Sequence, residues 1–180
     1  VGADQLGLPT PCAEWTLGQL LAHVVGQNQG FAASADGETA DLSIWRDRPV
    51  DGDPRQAYDE SAMRIIAAFA ADGLLAREFW LPEIRSGGMF PAEQAISFQL
   101  VDTVAHGWDI ARSIGADVEF DPDVLAAALA VAQKVPDGAN REVPGAAFKH
   151  ARPAPGDPSA LDRIVTLLGR SPDWPGEGVA

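Results

Sequence analysis

The chain has 180 residues and a formal net charge of -13, with a sequence pI near 4.4. That length suits one compact domain, or a domain with a small appendage, and is long enough to bury a core. The acidity argues against nucleic acid and anionic membrane surfaces as partners; no apolar run reaches a membrane span, no signal peptide is legible, and a single cysteine, Cys12, excludes an intrachain disulfide and points to a reducing cytoplasm.

The opening LGLPTPCAEW carries two prolines and reads as a turn. Thr16 is suited to cap the helix that follows, in which Leu17, Leu20, Leu21, Val24 and Val25 recur at helical spacing. Gly18, Ala22 and Gly26 form a small-residue ridge beside that stripe, which would let a second helix approach closely. His23 falls between stripe and ridge and is expected to point into an interface. Residues 35 to 53 read as loop. Pro54 to Ala71 read as a helix with Tyr58, Ala62, Ile65, Ile66 and Phe69 on its inner side, Pro54 in its first turn and Gly73 after its end. Residues 74 to 90 are irregular or weakly extended, with a turn at Gly87-Gly88. Pro91 to Ile114 form the longest helix, ended by Gly115. Asp121-Pro122 opens a further helix to about Val135, and Ser159 caps a short one over Ala160 to Leu168.

The chemistry concentrates in FQLVDTVAHGWDIARSIG. At 100° per residue, Gln99, Asp102, His106, Asp109 and Ser113 fall in one narrow stripe of an otherwise apolar helix. A solvated face is one reading. The stripe lacks the Lys, Glu and Arg that usually fill an exposed helix face, however, and short acids, an imidazole and an amide suit a confined polar site. Asp102 and His106 stand one turn apart, the spacing by which one helix offers two ligands to one divalent metal. His23 is a third candidate if its helix meets theirs. Asp109 is expected either to orient a ligand imidazole or to pair locally with Arg112; it is also the nearest candidate for a general base.

The remaining singular residues have plainer readings. Cys12 reads as a small buried filler. Trp15, Trp45, Trp80 and Trp108 read as core, with one or two walling a pocket. Arg46, Arg48 and Arg85 lie in loops, and His150, the third histidine, is expected to be exposed. No nucleotide fingerprint, nucleophile elbow or Cys-rich zinc pattern is present.

LPTPCAEWTLGQLLAHVVG together with DTVAHGWDIARSIG resembles the DinB-like metal-binding superfamily, in the branch related to the N-terminal domain of mycothiol-dependent maleylpyruvate isomerase. The closing PSALDRIVTLLGRSPDW resembles the tail of small stand-alone members of that branch. The resemblance implies an all-α protein: a DinB-like four-helix bundle over 1–115 with a short helical C-terminal extension over 116–180 packed on it. It implies a divalent metal on His23, Asp102 and His106, with Asp where relatives often carry Glu. The resemblance further implies a helix before LPTPC; this sequence starts at Val1 without it, so truncation, an unseen segment or a replacement is expected.

Three protein ligands would leave open positions on the ion, the mark of a catalytic site. Zinc is expected first, with nickel, iron(II) or manganese as alternatives. The implied chemistry is activation of a low-molecular-weight thiol for transfer or isomerisation; the rival reading is a non-catalytic metal- or ligand-binding module, and a weaker third is hydrolysis by bound hydroxide. A small-molecule substrate or thiol is the expected partner, and a homodimer is compatible with the sequence.

Overall fold

The computed structural model describes residues 1–84, 87–143 and 145–176. Arg85 lies outside them. The described residues form five α-helices, several short 3-10 turns and a small two-stranded sheet. They divide into two compact units, one of Val1–Pro9 with Glu14–Gln99, the other of Thr10–Ala13 with Leu100–Ala180.

In the first unit, α1 (Leu17–Ala35) starts at Thr16, whose side chain accepts from the Gln19 amide while the Gln19 side chain answers the Thr16 amide. Leu17, Leu20, Leu21 and Val25 are buried as their spacing requires. The small-residue ridge serves a different neighbour from the expected helix. A Cβ on Gly26 would stand 2.5 Å from the Arg46 carbonyl oxygen, and the Gly18 face abuts the Leu6 backbone. The Arg48 amide donates to the Ala22 carbonyl at 2.9 Å. Loops therefore fill the space, and Gly30 lies against the Trp45 ring in the same way.

α2 (Pro54–Phe69) is capped by Asp53 and packs on α1. Its inner face is Ser61, Ile65 and Ala68, rotated from the expected one. Ile66 is 66 % exposed and Tyr58 37 %. The rotation has a polar cause. Asn28 of α1 donates to Ser61 Oγ at 3.0 Å, and Gln99 donates to Asn28 at 3.0 Å, so a buried hydrogen-bonded chain meets this face, on which Ile65 of the expected residues is buried and Ile66 is not. β1 (Glu78–Trp80) and β2 (Met89–Pro91) pair antiparallel, with Phe79 opposite Phe90, within the weakly extended stretch. Phe31, Trp45, Ile65, Phe79 and Leu81 are the large side chains of this unit's core.

α3 (Ala92–Ser113) begins in the first unit and ends in the second. There, α4 (Pro122–Ala132) and α5 (Ala160–Leu167) join it around Val101, Val104, Ala105, Ala128, Ile164 and Leu168. Asp121 caps α4, and Ser159 closes a capping box with Asp162 on α5. After α5, Gly169 turns the chain with φ +87°, a conformation only glycine adopts without strain. Arg141 is buried and donates to the carbonyls of Pro136, Lys149 and Leu167, knitting the segment between α4 and α5.

Candidate metal centre

The polar stripe of α3 is not a solvated face. Gln99 and His106 are 6 % and 5 % exposed and Asp109 is fully buried. A helix that buries these groups must satisfy them internally, and the second unit does so around His106. His106 Nδ1 lies 2.9 Å from Asp109 Oδ2, and Nε2 lies 3.3 Å from Asp102 Oδ1, one turn earlier on α3. The imidazole thus stands between two carboxylates. Burial alone would strip its proton, but the negative charge of Asp102 and the hydrogen bonds to both aspartates hold its pKa well above the usual histidine range.

Asp109 gathers the rest of the cluster. Arg170, beyond α5, donates from Nε at 2.9 Å to Oδ1 and from Nη2 at 2.7 Å to Oδ2, a two-pronged charged contact. Burial works against the Asp109 carboxylate, yet the Arg170 guanidinium and the His106 hydrogen bond outweigh it and bring its pKa down to about 2. A carboxylate so held orients its neighbours well and takes protons poorly, which weakens its candidacy as a general base. Arg112 does not pair with it; its guanidinium donates instead to the carbonyls of Pro172 and Trp174.

Cys12 differs from the inert filler expected of it. Its thiol donates to Asp109 Oδ2 at 3.3 Å, and Arg170 Nη2 donates to its sulfur at 3.4 Å. The Thr10 hydroxyl donates to the Cys12 carbonyl at 2.9 Å and shapes this turn. Sequence reasoning missed both Cys12 and Arg170 as members of the cluster. Only the spare basic residue in LLGRSPDW hinted at a partner for a buried acid.

His23 belongs to the first unit, on α1. Its Nδ1 lies 3.3 Å from Asp47 Oδ1, and its ring stacks at a tilt against Trp15, with centroids 4.7 Å apart. Trp15 and Trp80 are partly buried, while Trp45 and Trp108 are core. His150 is exposed and paired with Asp137 and Glu142.

The donor chemistry fits a divalent ion. His23 and His106 each have a carboxylate against Nδ1; with the proton on that nitrogen, Nε2 would be the ligand atom. In His106, Nε2 faces Asp102, so the place of a shared proton is also the place a cation would take. Within the second unit, Cys12, His106 and Asp109 also bring one ligand atom each within 4.8 Å of one another.

The family model for the mycothiol maleylpyruvate isomerase N-terminal domain matches residues 1–111. The chain belongs to this family. Two proteins of Mycobacterium tuberculosis, from strains CDC 1551 / Oshkosh and ATCC 25618 / H37Rv, are each 31 % identical to it over 176 residues. The match covers 95 % of this chain and 88 % of theirs, and both are described only as uncharacterised. No solved structure matches. Among the described residues, no helix is long and apolar enough to cross a membrane.

Proposed function

We propose that this member of the mycothiol maleylpyruvate isomerase N-terminal domain family holds a divalent metal on His23, Asp102 and His106 and supports transfer or isomerisation with a small thiol. The fold that goes with this reading is a DinB-like helical bundle over 1–115 with the segment 116–180 as its extension. The observation that carries the reading is the Asp102–His106 pair, with the second nitrogen of His106 committed to Asp109. Nδ1 of His23 is committed to Asp47 in the same manner.

A bound divalent ion with open positions lowers the pKa of a coordinated thiol or water, so that a nucleophile exists near neutral pH. The protein's own part is to prepare the ligands. Asp109 holds the Nδ1–H of His106 and keeps the ring from rotating. Asp102 sets a negative charge beside Nε2 and balances a cation there. Zinc is the first choice for two imidazoles and one carboxylate; nickel, iron(II) and manganese suit the same set. The acidic surface favours an electrophile that is small and carries few charges.

The test is elemental analysis of protein purified without a nickel column, then a screen with several thiols and generic electrophiles on holo and apo protein. Metal bound near one equivalent, with thiol consumed only by the holo form, is expected. An apo protein as active as the holo protein would sink the enzyme reading, and metal bound without turnover would leave a binding module.

A further inference from the structure

His106 belongs to two overlapping sets of donors. On its Nε2 side stands Asp102; on its Nδ1 side stand Asp109 and, 3.3 Å from the same carboxylate oxygen, the sulfur of Cys12. The second set is the softer one. A thiolate, an imidazole and a carboxylate gathered in one cluster are donors that zinc or cobalt takes readily. Tetrahedral bonds of roughly 2.0–2.3 Å put neighbouring ligand atoms roughly 3.3–3.8 Å apart, and the three ligand atoms here lie within 4.8 Å of one another. From donor chemistry alone, metal should prefer Cys12, Asp109 and Nδ1.

Arg170 stands in the way. Its Nε and Nη2 reach both oxygens of Asp109, and Nη2 reaches Cys12 Sγ as well. The guanidinium is 6 % exposed and the carboxylate is fully buried, so little solvent screens their attraction. A guanidinium does not give up its proton. An ion among Cys12, Asp109 and Nδ1 would have to break the forked contact and then sit against a fixed positive charge.

We infer that Arg170 closes the Cys12–His106–Asp109 group to metal and thereby directs a divalent ion to the Nε2 side of His106. It is a positioning residue that acts through Asp109. The direction toward Nε2 rests on the metal reading proposed above; the closing of the Cys12 group does not. The placement of Arg170 is built into the end of α5. The Arg170 amide bonds the Val165 carbonyl at 2.9 Å, the Gly169 amide bonds Thr166 at 3.0 Å, and this turn sends the Arg170 side chain inward. Arg170 also lies beyond residues 1–111, the stretch that carries the family match, so a segment outside that domain completes the surroundings of its histidine.

The experiment is titration of the metal-stripped full chain with cobalt(II), followed by absorption. Thiolate coordination adds a charge-transfer band in the near ultraviolet that imidazole and carboxylate ligands do not. The wild type is expected to bind cobalt without that band, and Cys12→Ser to keep its affinity within about twofold, far less than the 10–100-fold loss typical of disturbing a ligand's support. Arg170→Met is expected to gain the band and to lose it again when combined with Cys12→Ser. Arg170→Lys, which restores a cation, should lack it. Should Arg170→Met fail to fold, Arg170→Gln keeps a donor for Asp109 without the charge and carries the same expectation. A thiolate band in the wild type, a tenfold or greater loss of affinity in Cys12→Ser (about the lower end of that range), or a folded Arg170→Met with the wild-type spectrum would each overturn the inference. If the wild type binds nothing and Arg170→Met binds with the band, the proposed function fails and this inference stands. If no form binds, both fail.

Discussion

Arg170 Nη2 lies 2.7 Å from Asp109 Oδ2, across 61 residues of chain. Asp109 takes this contact together with its bond to the His106 ring, and both partners are buried. The pair ties the turn after α5 to α3 and, through Asp109, fixes the ring of His106. The following expectations test the cluster and the packing around it.

Replacing Asp109 with Asn keeps the shape and removes the charge. The guanidinium of Arg170 is then buried without its counter-ion, which costs about 3–5 kcal/mol for pairs of this kind. The His106 ring loses its charged acceptor, and metal affinity should fall about 10–100-fold. Urea unfolding and a metal-competition titration measure the two effects separately. Unchanged stability would mean that Arg170 finds another partner.

His106→Ala should abolish tight metal binding and leave most of the helix content. The core around Val101, Val104, Ile164 and Leu168 does not include the imidazole. Metal content by mass spectrometry and far-ultraviolet circular dichroism decide the matter. Full metal occupancy in the variant would refute His106 as a ligand.

Gly169→Ala should destabilise the protein by at least about 1–2 kcal/mol, the cost of placing a side chain in the left-handed region. The added Cβ would also stand 2.6 Å from the Lys149 carbonyl oxygen, on backbone that has little room to give. Thermal unfolding reads the loss. Because the same turn aims Arg170, the cobalt spectrum of this variant should begin to resemble that of Arg170→Met.

Gly30→Ala sets two effects against each other. Alanine gains about 1 kcal/mol of helix propensity over glycine. Its Cβ would meet the Trp45 ring at 2.4 Å, and overpacking of this kind costs typically about 1–3 kcal/mol. Since Trp45 is 6 % exposed and packed on Phe31, the clash should win and the variant should be less stable. A more stable variant would show that the ring moves freely.

His150 provides the pH expectation. Its hydrogen bond to Asp137 at 2.7 Å raises its pKa above the ordinary histidine value, and Glu142 adds to the effect. With the folded value above the unfolded one, the interaction is complete below the unfolded pKa and is lost as pH rises through the folded pKa. The ring protons in an NMR titration should move at higher pH than those of a free histidine, and Asp137→Asn should bring them back. Identical midpoints in both proteins would contradict the pairing.

Much of the helical frame was legible because it rests on local rules. Thr16, Asp121 and Ser159 announce helix starts through side chains that can reach their own backbone. The burial of Leu17, Leu20, Leu21 and Val25 follows from spacing alone, since one helical face must leave water. Asp102 and His106 were readable as a pair for the same reason: residues four apart share a face whatever the rest of the chain does.

Other features depended on partners remote in sequence. The buried face of α2 turned from Ile66 to Ser61 because Asn28 and Gln99 needed a hydrogen-bonded neighbour, and no local pattern in α2 encodes that need. The small-residue ridge of α1 showed that something comes close, but that the visitor is the Arg46 loop depends on a tertiary path. Asp109 could be placed on the stripe, while its choice of Arg170 over the nearby Arg112 was settled by where the turn after α5 delivers a guanidinium. The sequence by itself determined which groups share a helix face, because helix geometry is local. Only the tertiary structure decided which charges are buried together, because that depends on long-range packing and on the cost of leaving any one of them unpaired.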